Sequence, residues 1–378
     1  MRSYNTGIVY SDEKCIGCNK CIAACSVLGA NCAIIQNGQN RVVVDSRKCV
    51  ICGSCVSVCP QKARTYRDDS ESFFTGAAQS QNISVIIDQS FFVLYKDRAR
   101  SVLGWLRSLG VKNIYSSSLG AEISVWANVR YLLAHHEEDE APFLVNCCPA
   151  FTLRVEREEI DFLKKLIPVH SPAFCTAIYA KKYLGDTSRM VFISPCVAVK
   201  DLISRHKGTI DASVSFDSII TRFNEAKYSG TESDPDQTGR TFGNIISAED
   251  GMARCLALFF PEKYIIAHYN NLSPHTFSVL RNETQNCSLS ERPLASTVVS
   301  CRNGCLDGPG TKKFRSTVSS ICIEYFRMFT DSMKDLDIEA SHKRNLEMLE
   351  KQFAGLDCAD FTCSFQDHYQ QPYRIPKS

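Results

Sequence analysis

The chain has 378 residues, and 43 basic against 41 acidic side chains leave a formal net charge of +2. It is therefore not a polyelectrolyte built for nucleic acid or an anionic membrane surface. Hydrophobic residues at 44% and charged residues at 22% exclude a disordered or collagen-like chain and fit a globular protein of roughly two to three domains. The N-terminus lacks a basic stretch followed by an apolar core, and no segment offers the roughly 18 uninterrupted apolar residues of a spanning helix. The expectation is a cytoplasmic protein without membrane insertion. Twenty cysteines in so long a chain point to metal or redox chemistry before a disulfide framework.

Nine of those cysteines fall within the first 59 residues. Cys15, Cys18, Cys21 and Cys25 form C-x2-C-x2-C-x3-C, and Cys49, Cys52, Cys55 and Cys59 repeat it 34 residues further on (15 to 49), followed by Pro60. Thiolates at this spacing wrap one face of an iron–sulfur cube. Zinc, the alternative, more often takes paired C-x2-C knuckles. Between the runs, Ala33–Gln36 and Arg41–Val44 flank Asn37-Gly38, which predicts a tight hairpin. The spare Cys32 reads as a small buried apolar residue. Residues 1–65 resemble two-cluster bacterial-type ferredoxins, a small α+β domain in which the last cysteine of each run serves the other cluster. The resemblance implies that Cys15, Cys18, Cys21 and Cys59 hold one [4Fe–4S] cluster and that Cys49, Cys52, Cys55 and Cys25 hold a second. Ser26 departs from the pattern, which repeats a proline there.

Residues 66–82 are polar and read as a linker with one short helix. From Ile83 to the C-terminus, apolar runs at Ile83–Ile87, Pro142–Val145, Met190–Ile193, Tyr264–Ala267 and Ser296–Val299 alternate with segments of helical period. That alternation predicts α/β layers around a largely parallel sheet. One helix is punctuated by Ser171 as cap, Pro172 in first position and Gly185 as stop. A periodic segment also runs from Phe314 to about Phe353. Cys147 and Cys148, then Cys196, then Cys301 and Cys305, each follow a predicted strand, and ligands of open α/β sheets bind at the carboxyl ends of strands. Five thiols from distant regions can thus meet in one crevice. Adjacent Cys147 and Cys148 point apart, so only one of them is expected to join a shared metal.

Three segments carry a second resemblance: Asn146-Cys147-Cys148-Pro149-Ala150, Ser194-Pro195-Cys196-Val197-Ala198, and Cys301-Arg302-Asn303-Gly304-Cys305 through Gly310. In this order they resemble the three motifs of the [FeFe] hydrogenase catalytic domain, over roughly residues 83–311. The resemblance implies an α/β hydrogenase-type domain of largely parallel sheets with helices, spanning residues 83–378. It also implies a third [4Fe–4S] cluster on Cys148, Cys196, Cys301 and Cys305, a two-iron subsite bridged by Cys305 (the H-cluster), and Cys147 as an unligated proton-transfer thiol. Electron-transfer proteins or redox enzymes would be its partners, protons and hydrogen its substrates, and an anaerobe its host.

Several residues depart from that pattern. Val145-Asn146 stand where active members carry Thr-Ser, and Phe151 stands for tryptophan. Val199 and Leu202 occupy slots that the family gives to lysine and glutamate; Lys200, one residue on, is the candidate catalytic cation to compensate for Val199, although it lies about 100° round a helix from that slot. Pro309 interrupts a run of glycines where the subsite would dock. Glu122, the one carboxylate in Gly120–Ala127, reads as a salt-bridged surface residue. Cys175 reads as core, Cys255, Cys287 and Cys322 lack companion spacing, His170 is assigned no ligand role, and Cys358 and Cys363 beside His368 read as a docked terminus. Three functions remain open: an enzyme of hydrogenase type, a non-catalytic sensor or electron relay, and an iron–sulfur assembly factor. Cys147 and Cys305 favour the first; Val199, Leu202 and Pro309 favour the second.

Overall fold

The computed structural model describes residues 4–136, 141–239, 242–287, 292–311 and 342–365, with Arg327 and Thr330. Most of the periodic segment beginning at Phe314, with Cys322 and His368, lies outside them; its described end is the helix His342–Gln352.

The head is held by two small antiparallel sheets. Strand β1 (Val9–Ser11) pairs with β4 (Arg64–Tyr66), while β2 (Asn31–Gln36) and β3 (Gln39–Val44) form the expected hairpin. Gln36 pairs with Gln39 across a two-residue turn, and Asn37 and Gly38 take φ of 51° and 73°, the positive pair that such a turn requires. Each cysteine run carries a four-residue helix, Lys20–Ala23 and Ser54–Ser57, entered from a left-handed residue, Asn19 (φ 61°) and Gly53 (φ 75°).

Arg67–Asn82 is not a free connector. Its helix Ser70–Ala78 buries Phe73 completely, and the Asp68 carboxylate accepts from the Ser215 N–H and the Ser218 hydroxyl, both at 3.0 Å.

The body contains two parallel sheets where the sequence pattern implied one. Strands β5 (Ile83–Ile87), β6 (Ile114–Ser116), β8 (Arg189–Ser194) and β9 (Ala212–Ser215) form the first, in the order β6-β5-β8-β9. Strands β7 (Phe143–Val145), β10 (Ile266–Tyr269) and β11 (Ala295–Val298) form the second, in the order β10-β11-β7. Every residue of β5 is buried, as helices on both faces of a parallel sheet dictate. Among the described residues, no helix is long and apolar enough to cross a membrane.

The head shares a hydrophobic core with the body, since Ile8, Val27, Val50 and Ile51 belong to one buried cluster with Leu144, Phe151 and Val298. Polar clamps from the helix Pro149–Glu158 reinforce it. Arg157 donates to the carbonyls of Ser46 (3.3 Å) and Cys49, and Arg154 to that of Ser26 (3.5 Å).

Candidate metal centre

In the head, Cys25, Cys49, Cys52 and Cys55 stand close enough to act on one another electrostatically, although Cys25 belongs to the first run. Burial pushes the Cys49 thiol up to about 12, the neighbouring Cys52 and Cys25 add to the shift, and the Arg157 guanidinium opposes it. Cys55 is driven well above its ordinary value by burial and then by Cys49 and Cys52. Backbone N–H groups aim at this sulfur as expected, Ile51 donating to Cys49 Sγ at 3.4 Å. The other set shows the same kind of support. Val42 N–H donates to Cys15 Sγ (3.4 Å), and the buried Arg64 guanidinium to Cys21 Sγ (3.4 Å) and Asn31 Oδ1 (2.6 Å). Cys32 is only half-buried, on β2, with its thiol on the Gly29 carbonyl at 3.2 Å.

In the body, the strand ends converge. Cys147, Cys148, Cys196, Cys301 and Cys305 line one cavity of about 100 Å³. The first two follow β7 and the last two follow β11, both of the three-stranded sheet, while Cys196 follows β8 of the four-stranded one. The site therefore lies between two sheets and not on the rim of one. Backbone contacts lock the third motif in place: Cys305 N–H donates to Ser247 O and Gly310 N–H to Pro195 O, each at 2.9 Å. Gly304 sits at φ 63°, where a Cβ would strike the Ala248 carbonyl carbon at 2.5 Å.

Burial pushes Cys196 up to about 12, and Cys148, Cys301 and Cys305 upward as well; Cys148 adds to the shifts of the other three. Such a set stays protonated alone and is deprotonated by a coordinating metal. Among the described residues, no three His, Cys, Asp or Glu side chains are placed to grip a single ion, as a zinc site with Zn–S near 2.3 Å demands. A cubane spreads its ligands round a larger body, and an all-thiol donor set suits it.

The rest of the wall differs from the expectations. Val199 lines the cavity, whereas Lys200 does not; its ammonium is paired with Asp69 at 2.5 Å, so it does not compensate for Val199. Among the described residues, the charged side chains on the wall are acidic, Asp88 and Glu249. Sequence reasoning overlooked Asp88, the residue just past β5. Its buried Oδ1 accepts from the Ser90 N–H (2.9 Å), the Ser90 hydroxyl (2.6 Å) and the Ser247 hydroxyl (3.0 Å). Burial raises its pKa above the usual carboxylate range, and its charge reaches both Cys196 and Cys305.

Cys147 lines the same wall. Burial and then the adjacent Cys148 push its thiol above its ordinary value. Glu122 is not a surface residue. It is wholly buried, on the helix Ser117–His135, and accepts from Gln352 Nε2 (2.6 Å) and the Gly243 N–H (3.3 Å), away from the cavity wall. Leu202 is buried. Cys175 is fully buried core, as is Cys255, and Cys363 accepts from Asn146 Nδ2 at 3.6 Å.

A family model described as the iron only hydrogenase large subunit, C-terminal domain, matches residues 76–285, more than half of the chain, and one for a 4Fe-4S dicluster domain matches residues 14–63. The chain belongs to the family defined by the C-terminal domain of the iron-only hydrogenase large subunit, and it carries a ferredoxin-type head. Its fold is similar to that of an apo [FeFe]-hydrogenase HydA1 variant from Chlamydomonas reinhardtii, with a TM-score of 0.59 and 13% identity over 80% of this chain and 100% of that one. It is similar, too, to the [FeFe]-hydrogenase HydA(deltaEFG), with a TM-score of 0.60 and 13% identity over the same shares. No curated protein matches the chain.

Proposed function

We propose that the protein is an iron–sulfur redox protein in which two head cubanes, on Cys15, Cys18, Cys21 and Cys59 and on Cys49, Cys52, Cys55 and Cys25, exchange electrons with a third. The third is held by Cys148, Cys196, Cys301 and Cys305, and its outlet is a redox partner protein. One observation carries this reading: thiols from three strand ends share one buried cavity, and Cys52 of the head is near enough to act on Cys148 and Cys301. When bound, the cubanes supply one-electron storage, with potentials set by charge, hydrogen bonds to sulfur and exposure. The chain's own residues adjust those levers. Val42, Ile51 and Arg64 aim N–H donors at cysteine sulfur, and Asp88 adds negative charge beside Cys196 and Cys305.

Hydrogen turnover at a two-iron subsite, with Cys305 as bridge and Cys147 as proton-carrying thiol, is the second reading, favoured by the presence of Cys147 on the same wall. Val199, the engagement of Lys200 with Asp69 and the acidic wall all weigh against it, because anionic cyanides need donors and cations. Co-expression with hydrogenase maturation proteins followed by infrared spectroscopy separates the two. We expect no bands of metal-bound carbonyl or cyanide in protein that carries its cubanes. Their appearance would replace the relay with the enzyme.

A further inference from the structure

The duplicated head contains its own control. Asn19 and Gly53 occupy equivalent places in the two runs, one residue past Cys18 and Cys52, and both adopt the left-handed conformation at the start of a short helix. Asparagine tolerates that conformation well, so the backbone alone does not demand glycine at position 53. Close packing does. A Cβ on Gly53 would meet Cγ and Cβ of Pro309 at 2.4 and 2.5 Å, distances that no real side chain accepts.

Pro309 is itself buried and held on its other side. Gly310 N–H donates to Pro195 O at 2.9 Å, and a Cβ on Gly308 would strike that same carbonyl oxygen at 2.5 Å. The loop after Cys305 is thus sandwiched between the Pro195-Cys196 turn and the Cys52-Gly53 turn. Both turns bear thiols assigned above to cubanes. The proline that breaks the glycine run is the part of this loop that reaches the head.

We propose that Gly53 and Pro309 are positioning residues for electron exchange: the proline ring seated on the glycine sets the separation and orientation of the Cys49–Cys55 cluster relative to the cavity cluster. The contact rests on the relay reading for its purpose, though not for its existence. Arg157 holds the far side of the same head loop through Ser46 and Cys49, so the proline contact fixes spacing and is not the sole attachment.

The test replaces Gly53 by the residue its twin uses. Reduced, reconstituted wild-type protein is expected to show electron-spin coupling between clusters. Gly53→Asn should keep its iron and change the splitting, Pro309→Gly, which removes the spacing ring, should change it as well, and Asn19→Gly should leave both iron and splitting as they are. Unaltered splitting in Gly53→Asn or in Pro309→Gly overturns the proposal.

Amide hydrogen exchange supplies an arm independent of the metal. Pro309→Gly should speed exchange at both Gly53–Ser57 and Gly308–Thr311, even if Gly53→Asn fails to take up iron. Unchanged exchange at Gly53–Ser57 also overturns the proposal. Failure of the relay reading looks different: wild-type protein would hold fewer than three cubanes while the exchange arm still came out as described.

Discussion

Asp88 places a buried carboxyl on the cavity wall. Its Oδ1 collects three donors, and burial still raises its pKa. Two unit charges about 8 Å apart at an effective dielectric of about 20 interact by about 2 kcal/mol, which for one electron corresponds to roughly 50–100 mV. Negative charge favours the oxidised, more positive cluster. Asp88→Asn, titrated on the alkaline side where the acid is ionised, should therefore raise the midpoint potential of the third cluster by that order. An unmoved potential would separate Asp88 from the cluster. The cysteines announced themselves by spacing, whereas a single acid has no period. Asp88 could have been found by the rule that selected the thiols, because it directly follows the carboxyl end of the apolar run Ile83–Ile87. Glu122 was misread for the opposite reason. Its helix is buried on nearly every side, so a polar residue there carries no mark of facing inward.

Among the elements, the long or strongly apolar ones were legible and the short ones were not. The Asn37-Gly38 hairpin and β5, β7, β8 and β11 follow from their patterns, and β10 starts two residues later than its apolar run. Strands β6 and β9 span three and four residues and are rich in serine, too brief for periodicity to register. Nor does periodicity say which strands pair, and the division into two sheets lay outside its reach. The segment at Pro168–His170 shows how a late element closes the body. Cys363 N–H donates to Pro168 O at 3.0 Å and His170 N–H to Phe361 O at 2.9 Å. The His170 ring packs against Phe174 and, at 5.0 Å between centroids, His206. Burial, then the neighbouring His206, lowers the His170 pKa to about 4, while the unfolded chain keeps about 6.5. Between those values the unfolded state binds the extra proton, so this stability is present above about 6.5 and is lost as pH falls toward 4. Thermal melts of His170→Phe against wild type should show a shallower decline over that window, with His206, also lowered by burial, retaining part of it. Parallel declines would remove His170 as the cause.

At the scale of the molecule, the head is packed into the body and is not a tethered appendage. It shares a core with the body, is clamped by Arg154 and Arg157, and brings Cys52 near enough to act on Cys148 and Cys301. The order of the three cysteine motifs revealed the family because thiols that hold clusters tolerate little change in spacing. The departures were equally visible, but their consequences needed three dimensions: Val199 faces the cavity, Lys200 turns to Asp69, and Pro309 meets the head. These changes leave the five thiols on the cavity wall and put Val199 there where the family resemblance implies a lysine.

The central claim, that Cys148, Cys196, Cys301 and Cys305 share one cube, is tested most directly by iron and sulfide analysis of anaerobically reconstituted wild type and Cys196→Ser. With about four irons per cubane, the account predicts about 12 irons in the wild type and about 8 in a folded variant whose head clusters persist. Equal iron in the two proteins, with unchanged spectra, would contradict it.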